Sequence, residues 1–201
     1  MLHRNQTREP RRLMGAGLLG LLFSVIVVST AEEGHAQTAE GTVITNTATA
    51  SWTDANSNAY TAVNASANVT VAFQAGLDAI AVAASVTPAS PSTNDTIHFR
   101  VANIGNGTDS ISVSEAISNG SVMTVTGYRY GGTTYGSLAA LNTALAAVAM
   151  ATTDTVDIAI VYDVPSGQGG QSTDYTLTAT SRRDGGTSDN AVTSVLPPGT
   201  I

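Results

Sequence analysis

Residues 86–115 constrain the fold more than any other stretch. Ile97, Phe99 and Val101 alternate with His98, Arg100 and Ala102, which is the two-residue period of a half-buried strand. Pro88, Pro91, Asn94 and Asp95 supply turn chemistry before that strand. Asn103, Gly105, Asn106 and Gly107 supply it afterwards, and Ile111 and Val113 resume the alternation. Strand, turn and strand of this kind place the stretch at one edge of a sandwich.

The alternation continues to the end of the chain. Strands are expected over about 77–86, 95–103, 109–116, 121–130, 154–164, 173–182 and 190–196. The most strongly patterned is 154–164, with Val156, Ile158, Ile160, Tyr162 and Val164 on one face. Tyr175, Leu177 and Ala179 continue a buried face after a Gly- and Gln-rich turn. Short alternating strands separated by Gly, Asn and Pro are the signature of a β-sandwich. One insertion departs from it. Ser137 is placed to cap a helix in which Leu138, Leu141, Leu145 and Val148 recur at helical spacing. That helix is expected to run three turns at most and to close one end of the sandwich.

Ahead of this region, residues 42–54 and 60–73 read as a β-hairpin around Ala55, Asn56, Ser57, Asn58 and Ala59. Ile44, Ala48, Ala50 and Trp52 share one parity, and Val69, Val71 and Phe73 share one parity of the return strand. A lone hairpin is marginal in water, so this one is expected to join a larger sheet, its own or a neighbour's.

The first 36 residues have a different character. A polar head with Arg4, Arg8, Arg11 and Arg12 precedes an apolar run through Val28, and small residues follow it. This is the pattern of a secretory signal peptide, with cleavage expected after Ala36 and Ala31 as second choice. The run is short for a membrane span, and the residues after Arg11 and Arg12 match a twin-arginine signal poorly. Residues 1–36 read as signal peptide, 37–75 as a hairpin extension and 76–201 as the sandwich. No sorting signal or second apolar run is expected after Leu196, so no membrane span is expected in the mature chain.

Composition narrows function. The net charge is −7, with no Lys; residues 1–36 contribute +1, leaving −8 on the remainder. Only Arg100, Arg129, Arg182 and Arg183 lie beyond residue 36, too few and too scattered to neutralise a phosphate backbone, so nucleic acid is not an expected partner. The chain has no Cys, which removes disulfides and thiolate metal sites.

Two stretches resemble a known family. Residues 86–109, with their Pro-turn, Asp-Thr, strand and Asn-x-Gly-Asn order, resemble the conserved-repeat domain of unknown function found in bacterial and archaeal surface proteins. Residues 154–167 with 175–180 are similar to the closing strands of that domain. Residues 41–50 are similar to a leader hairpin that often precedes such repeats. The resemblance implies an Ig-like sandwich and no catalytic residues. The fold expected is therefore all-β: an Ig-like antiparallel sandwich with an N-terminal hairpin and one short inserted helix.

Candidate chemistry is sparse. His98, the single His after the signal region, lies on the outward parity of a strand, and no Gly-x-Ser-x-Gly elbow occurs. The chain reads as non-enzymatic, with no cofactor. Asp54, Asn56 and Asn58 have calcium-loop spacing, but Ala65 stands where the bidentate Glu would be, so a plain turn is favoured. Asp154, Asp157 and Asp163 are a thinner candidate, and no metal is expected. Five Asn-x-Ser/Thr matches, at Asn64, Asn68, Asn94, Asn106 and Asn119, are what chance supplies in so Asn-, Ser- and Thr-rich a chain. Tyr128, Arg129, Tyr130 and Tyr135, set among Gly and Thr, have the composition of a recognition loop. The competing reading is that Tyr128 and Tyr130 cap the core. Function is expected to be that of an exported surface or extracellular module (a periplasmic location remains open) for adhesion, binding or spacing. The alternative is a filament subunit that exchanges residues 37–75 between copies through β-edges.

Overall fold

The computed structural model describes residues 37–199, and the expected signal peptide lies outside them. Eleven strands and one helix follow in order: β1 (Val43–Ala50), β2 (Val63–Thr70), β3 (Leu77–Ala81), β4 (Ser85–Val86), β5 (Ser92–Asn103), β6 (Ile111–Ile117), β7 (Thr124–Tyr130), β8 (Thr133–Tyr135), α1 (Leu138–Ala146), β9 (Thr155–Val164), β10 (Thr173–Ser181) and β11 (Ser188–Val195). They form a five-stranded sheet, β3-β5-β9-β7-β8, a four-stranded sheet, β4-β11-β10-β6, and the separate pair β1-β2. The two larger sheets face each other as an Ig-like sandwich. All pairings are antiparallel except β4 with β11.

The expected first strand, 77–86, is divided. Leu77–Ala81 pairs with β5, and after residues 82–84 the chain crosses to pair with β11 in the opposite sheet. That placement also corrects the expectation for residues 86–115. β5 is not at an edge, because β3 adds outside it; β6 is the edge strand.

Alternation fills the space between the sheets. Ile97, Phe99, Val101, Val156, Ile158, Ile160 and Tyr162 come from one sheet; Ile111, Val113, Tyr175, Leu177, Ala179 and Val195 come from the other. Phe99 and Tyr175 meet across the gap with ring centroids 5.7 Å apart. Glu115 lies on the inward parity of β6. Its carboxylate accepts from the Tyr128 hydroxyl at 2.7 Å and from the Tyr175 hydroxyl. Burial first, and then this carboxylate, push both phenols well above their ordinary pKa.

Ser137 caps α1, accepting from the Ala140 N–H at 3.2 Å, and Leu141 and Leu145 are buried. The helix packs on β6, β7 and β8, so it covers an open side of the sandwich rather than an end. There it also finishes an edge. The Asn142 side chain accepts from the Val113 N–H at 2.7 Å and donates to the Val113 carbonyl at 2.8 Å, filling the outward ladder positions of β6. On the other sheet, the Asp189 carboxylate accepts from the outward N–H of Ala79 on β3 at 2.7 Å. Both are side-chain guards against strand addition.

Candidate functional site

The exposed hairpin is the feature without a packing explanation. Every residue of β1 and β2 is exposed. The register sorts them by face, because directly paired residues share one. Ile44 with Val69, Ala48 with Ala65, and Ala50 with Val63 lie on one face, interrupted only by Asn46 opposite Ala67. Thr45, Thr47, Thr49, Asn64, Ser66, Asn68 and Thr70 lie on the other, where Val43, opposite Thr70 at the base of the ribbon, is the one apolar exception. The ribbon is amphipathic, and its apolar face is uncovered: Ile44, Val63 and Val69 are 53%, 57% and 64% exposed. At the tip, Trp52 and Tyr60 stack on each other with centroids 6.1 Å apart, and both are exposed.

The tip closes as a plain turn. The Asp54 carboxylate accepts from the Asn56 N–H, the Asn58 N–H and the Asn58 side-chain amide at 2.8–2.9 Å, and Ser57 takes a positive φ of 67°. Those donors hold the Asp54 carboxyl below its ordinary pKa.

The base of the ribbon is fixed by residues 103–107. Asn106 is 6% exposed. Its Oδ1 accepts from the Gln74 N–H at 2.7 Å, and its Nδ2 donates to the carbonyls of Ala72 at 2.9 Å and Thr38 at 3.2 Å. Its carbonyl accepts from the Glu40 N–H at 2.9 Å. One side chain and its own backbone therefore hold both legs of the hairpin. Asn103, 1% exposed, shapes the turn behind it by donating to the carbonyls of Gly107 and Met150 and accepting from the Gly105 N–H. Gly105 is required by close approach: a Cβ there would lie 2.6 Å from the Gln74 carbonyl oxygen. A Cβ on Gly107 would lie 2.4 Å from the Glu40 carboxylate.

Arg183, from the β10–β11 loop, closes the outside of this clamp. Its guanidinium carbon lies 3.7 Å from the centroid of the Phe73 ring. Nη1 and Nη2 donate to the two Glu40 carboxylate oxygens at 2.7 and 2.6 Å, and Nη1 also donates to the Thr108 carbonyl at 2.8 Å. The hydrogen bond from Arg183 lowers the Glu40 pKa.

The four residues singled out as a recognition loop do not form one surface. Tyr128 is buried and its hydroxyl is committed to Glu115, so it is corrected from contact residue to core residue. Tyr130 and Tyr135 are half-buried against the same core. Arg129 alone points outward, because it takes the opposite parity on β7. It shares a shallow groove with His98, Tyr130, Gly131, Gly132 and Asp157. His98 lies exposed beside Thr96, and Arg100 pairs with Asp157 at 2.8 Å. Asp163 accepts from the Asn94 N–H and Asp154 from the Ala151 N–H, so the thin aspartate candidate is dispersed. Among the described residues no group of three His, Cys, Asp or Glu is placed to hold a metal. Among them, too, no helix is long and apolar enough to cross a membrane.

The clamp was hidden in the sequence because Asn103 to Gly107 has ordinary turn composition. Two Gly flanking an Asn is the signal the sequence offers, and the structure, in which neither Gly takes a positive φ, assigns Gly105 and Gly107 to close approach rather than to a left-handed turn.

The sequence matches no protein-family model and no curated protein. Among solved structures, the chain is similar to an ASH/PapD-like domain of human CEP192, its PapD-like domain 7, at 11% identity and a TM-score of 0.33. The match covers 62% of this chain and 87% of that one. A likeness so distant carries no functional argument.

Proposed function

We propose that this protein is an exported, non-catalytic Ig-like module for adhesion, binding or spacing, in which the sandwich is a rigid platform and residues 43–70 are the arm that meets a partner. One observation carries the reading: an amphipathic ribbon with its apolar face bare is held at its base by a built clamp. Contiguous exposed apolar surface rimmed by polar residues is where soluble proteins meet partners, and two exposed aromatics at the tip suit an anchoring role. The resemblance to surface-protein repeats and the signal-like leader support export.

Strand exchange onto a neighbour's sandwich, the filament reading, needs an acceptor edge. β4 and β8 have two and three residues, while β3 and β6 carry the Asp189 and Asn142 guards. These edges favour contact by the arm over insertion into the sandwich. The test is retention of the full chain on the cells that secrete it, against a chain lacking residues 43–70. Loss of retention is expected on deletion; equal retention would contradict the arm.

A further inference from the structure

We infer that the occupant of the bare apolar face is the same face of a second copy, so that two arms stack as a closed, two-fold pair. The inference rests on the arm reading above and names its partner. Charge is the first argument. Asp54 is the only charged residue between Glu40 and Asp78, whereas the chain beyond residue 36 carries −8. Two such molecules carry like net charge, to which the ribbon contributes only Asp54. A basic partner, by contrast, would be drawn to the acidic sandwich and find nothing to pair with on β1 and β2.

Shape is the second argument. The face is narrower at its centre, where Ala48 lies opposite Ala65 and Asn46 opposite Ala67, and bulkier towards its ends, at Ile44 with Val69 and at Val63. Turning one ribbon about a two-fold axis in the plane of contact reverses its strands. The Ile44–Val69 row then meets the smaller Ala50–Val63 row of the other copy, and the Asn46–Ala67 row meets Ala48–Ala65, so the one polar side chain of the face sits against alanines near the centre of the contact. A contact in which each surface meets itself closes as a dimer rather than growing a fibre.

Closure of the alternatives is the third. Asn142 and Asp189 occupy the outward ladder positions on β6 and β3. β4 pairs with Ser194 and Val195 of β11, and residues 79–83 flank the rest through the side chains of Asp189 and Thr193. Among the described residues β8 is an edge of only three residues, and the arm is the longest stretch of sheet without such a guard.

The size of the contact sets its strength. Eight residues at about 3.4 Å each, two strands wide, give roughly 270 Å² of ribbon per copy. A pair then covers roughly 550 Å² before side-chain relief, below the ~1,200 Å² of a standard interface. The dimer is therefore reversible and concentration-dependent.

The chain's lack of Cys makes the test direct. The full chain is examined by sedimentation across a concentration series and by thiol cross-linking of Ala48→Cys and Thr47→Cys, one residue on each face, with a short bifunctional reagent that bridges the about 7 Å by which facing copies of position 48 are offset along the strands. A monomer–dimer equilibrium is expected that tightens with added salt, because screening relieves repulsion between like-charged copies. Ala48→Cys should form a linked dimer and Thr47→Cys should not. Ile44→Lys should weaken association about tenfold or more. A monomer at every concentration with no cross-link overturns the inference. Equal cross-linking from both faces overturns it, and so does a ladder beyond the dimer. Retention on secreting cells is read separately, so a monomer that still needs residues 43–70 for retention would defeat the self-pairing while leaving the arm intact.

Discussion

Asn106 and Gln74, 32 residues apart, are joined twice. The Gln74 N–H donates to the Asn106 Oδ1 at 2.7 Å, and the Asn106 N–H donates to the Gln74 carbonyl at 3.1 Å. This reciprocal pair is where the arm becomes part of the platform. Asn106→Ala strips the partner from the Gln74 N–H and from the carbonyls of Ala72 and Thr38. At about 1 kcal/mol for each lost hydrogen bond, the base should weaken by about 2–4 kcal/mol. Limited proteolysis should then cut at residues 37–42 or 71–75 well before it cuts β9 or β10. Because Asn106 is buried here, its Asn-Gly-Thr triplet should also stay unmodified in a glycosylating host.

Gly105 and Gly120 make a controlled comparison. A methyl group at Gly105 would press on the Gln74 carbonyl, whereas nothing lies within 4 Å of a Cβ on Gly120, and neither has a positive φ. Gly105→Ala should lose about 1–3 kcal/mol in denaturant unfolding, as overpacked sites do. Gly120→Ala should stay within about 0.5 kcal/mol of the parent chain.

The Glu40–Arg183 contact gives the clamp an acid limit. Its hydrogen bond to Arg183 lowers the Glu40 pKa from an ordinary 4.5. A depressed carboxyl contributes stability that is present above 4.5 and lost as pH falls through the lower folded value. Protease sensitivity of the hairpin legs should therefore rise below about pH 4.5. In Arg183→Gln that acid-dependent rise should be lost, and the legs should already be sensitive at neutral pH.

The core tyrosines give an alkaline limit of opposite sign. Burial and the nearby Asp95 push Tyr162 from 10.0 up to about 12, and Tyr128 and Tyr175 are pushed up as well. A phenol with a raised folded pKa contributes fully below its unfolded value, and that contribution is lost as pH rises through the folded value. Ultraviolet titration should show Tyr128, Tyr162 and Tyr175 silent near pH 10 and ionising with unfolding near or above about pH 12. Ionisation of these three near pH 10 in the folded chain would contradict their placement.

Asn142→Ala should expose the edge it now fills. Both Val113 main-chain groups lose their partner, at a cost of about 1–3 kcal/mol. Light scattering during refolding should increase, since an unguarded strand edge templates aggregation.

Much of the sandwich was legible because burial alternates along its strands. Val156 to Val164 and Tyr175 to Ala179 announce both sheets by period alone, and Ser137 announces the start of α1. What could not be read depends on contacts between distant residues. The sheet switch at 82–84, the short β8 and the position of α1 are set by partners far away in sequence. Tyr128 shows the limit most clearly. Its neighbours suggested a recognition loop, but a Glu at position 115, on the inward parity of another strand, draws its hydroxyl into the core. The clamp was illegible for the same reason: Asn106 has turn chemistry locally and an anchoring role only once Thr38, Ala72 and Gln74 arrive.

Residue-resolved amide exchange on the full chain, from dilute to concentrated solution, tests the account most directly. β9 and β10 should exchange slowest, Gln74 and Asn106 should be protected beside them, and residues 43–70 should exchange fast when dilute and slow as concentration rises. Hairpin amides as protected as those of Ile158 and Leu177 in dilute monomer would contradict it, because the arm would then already be covered by its own chain.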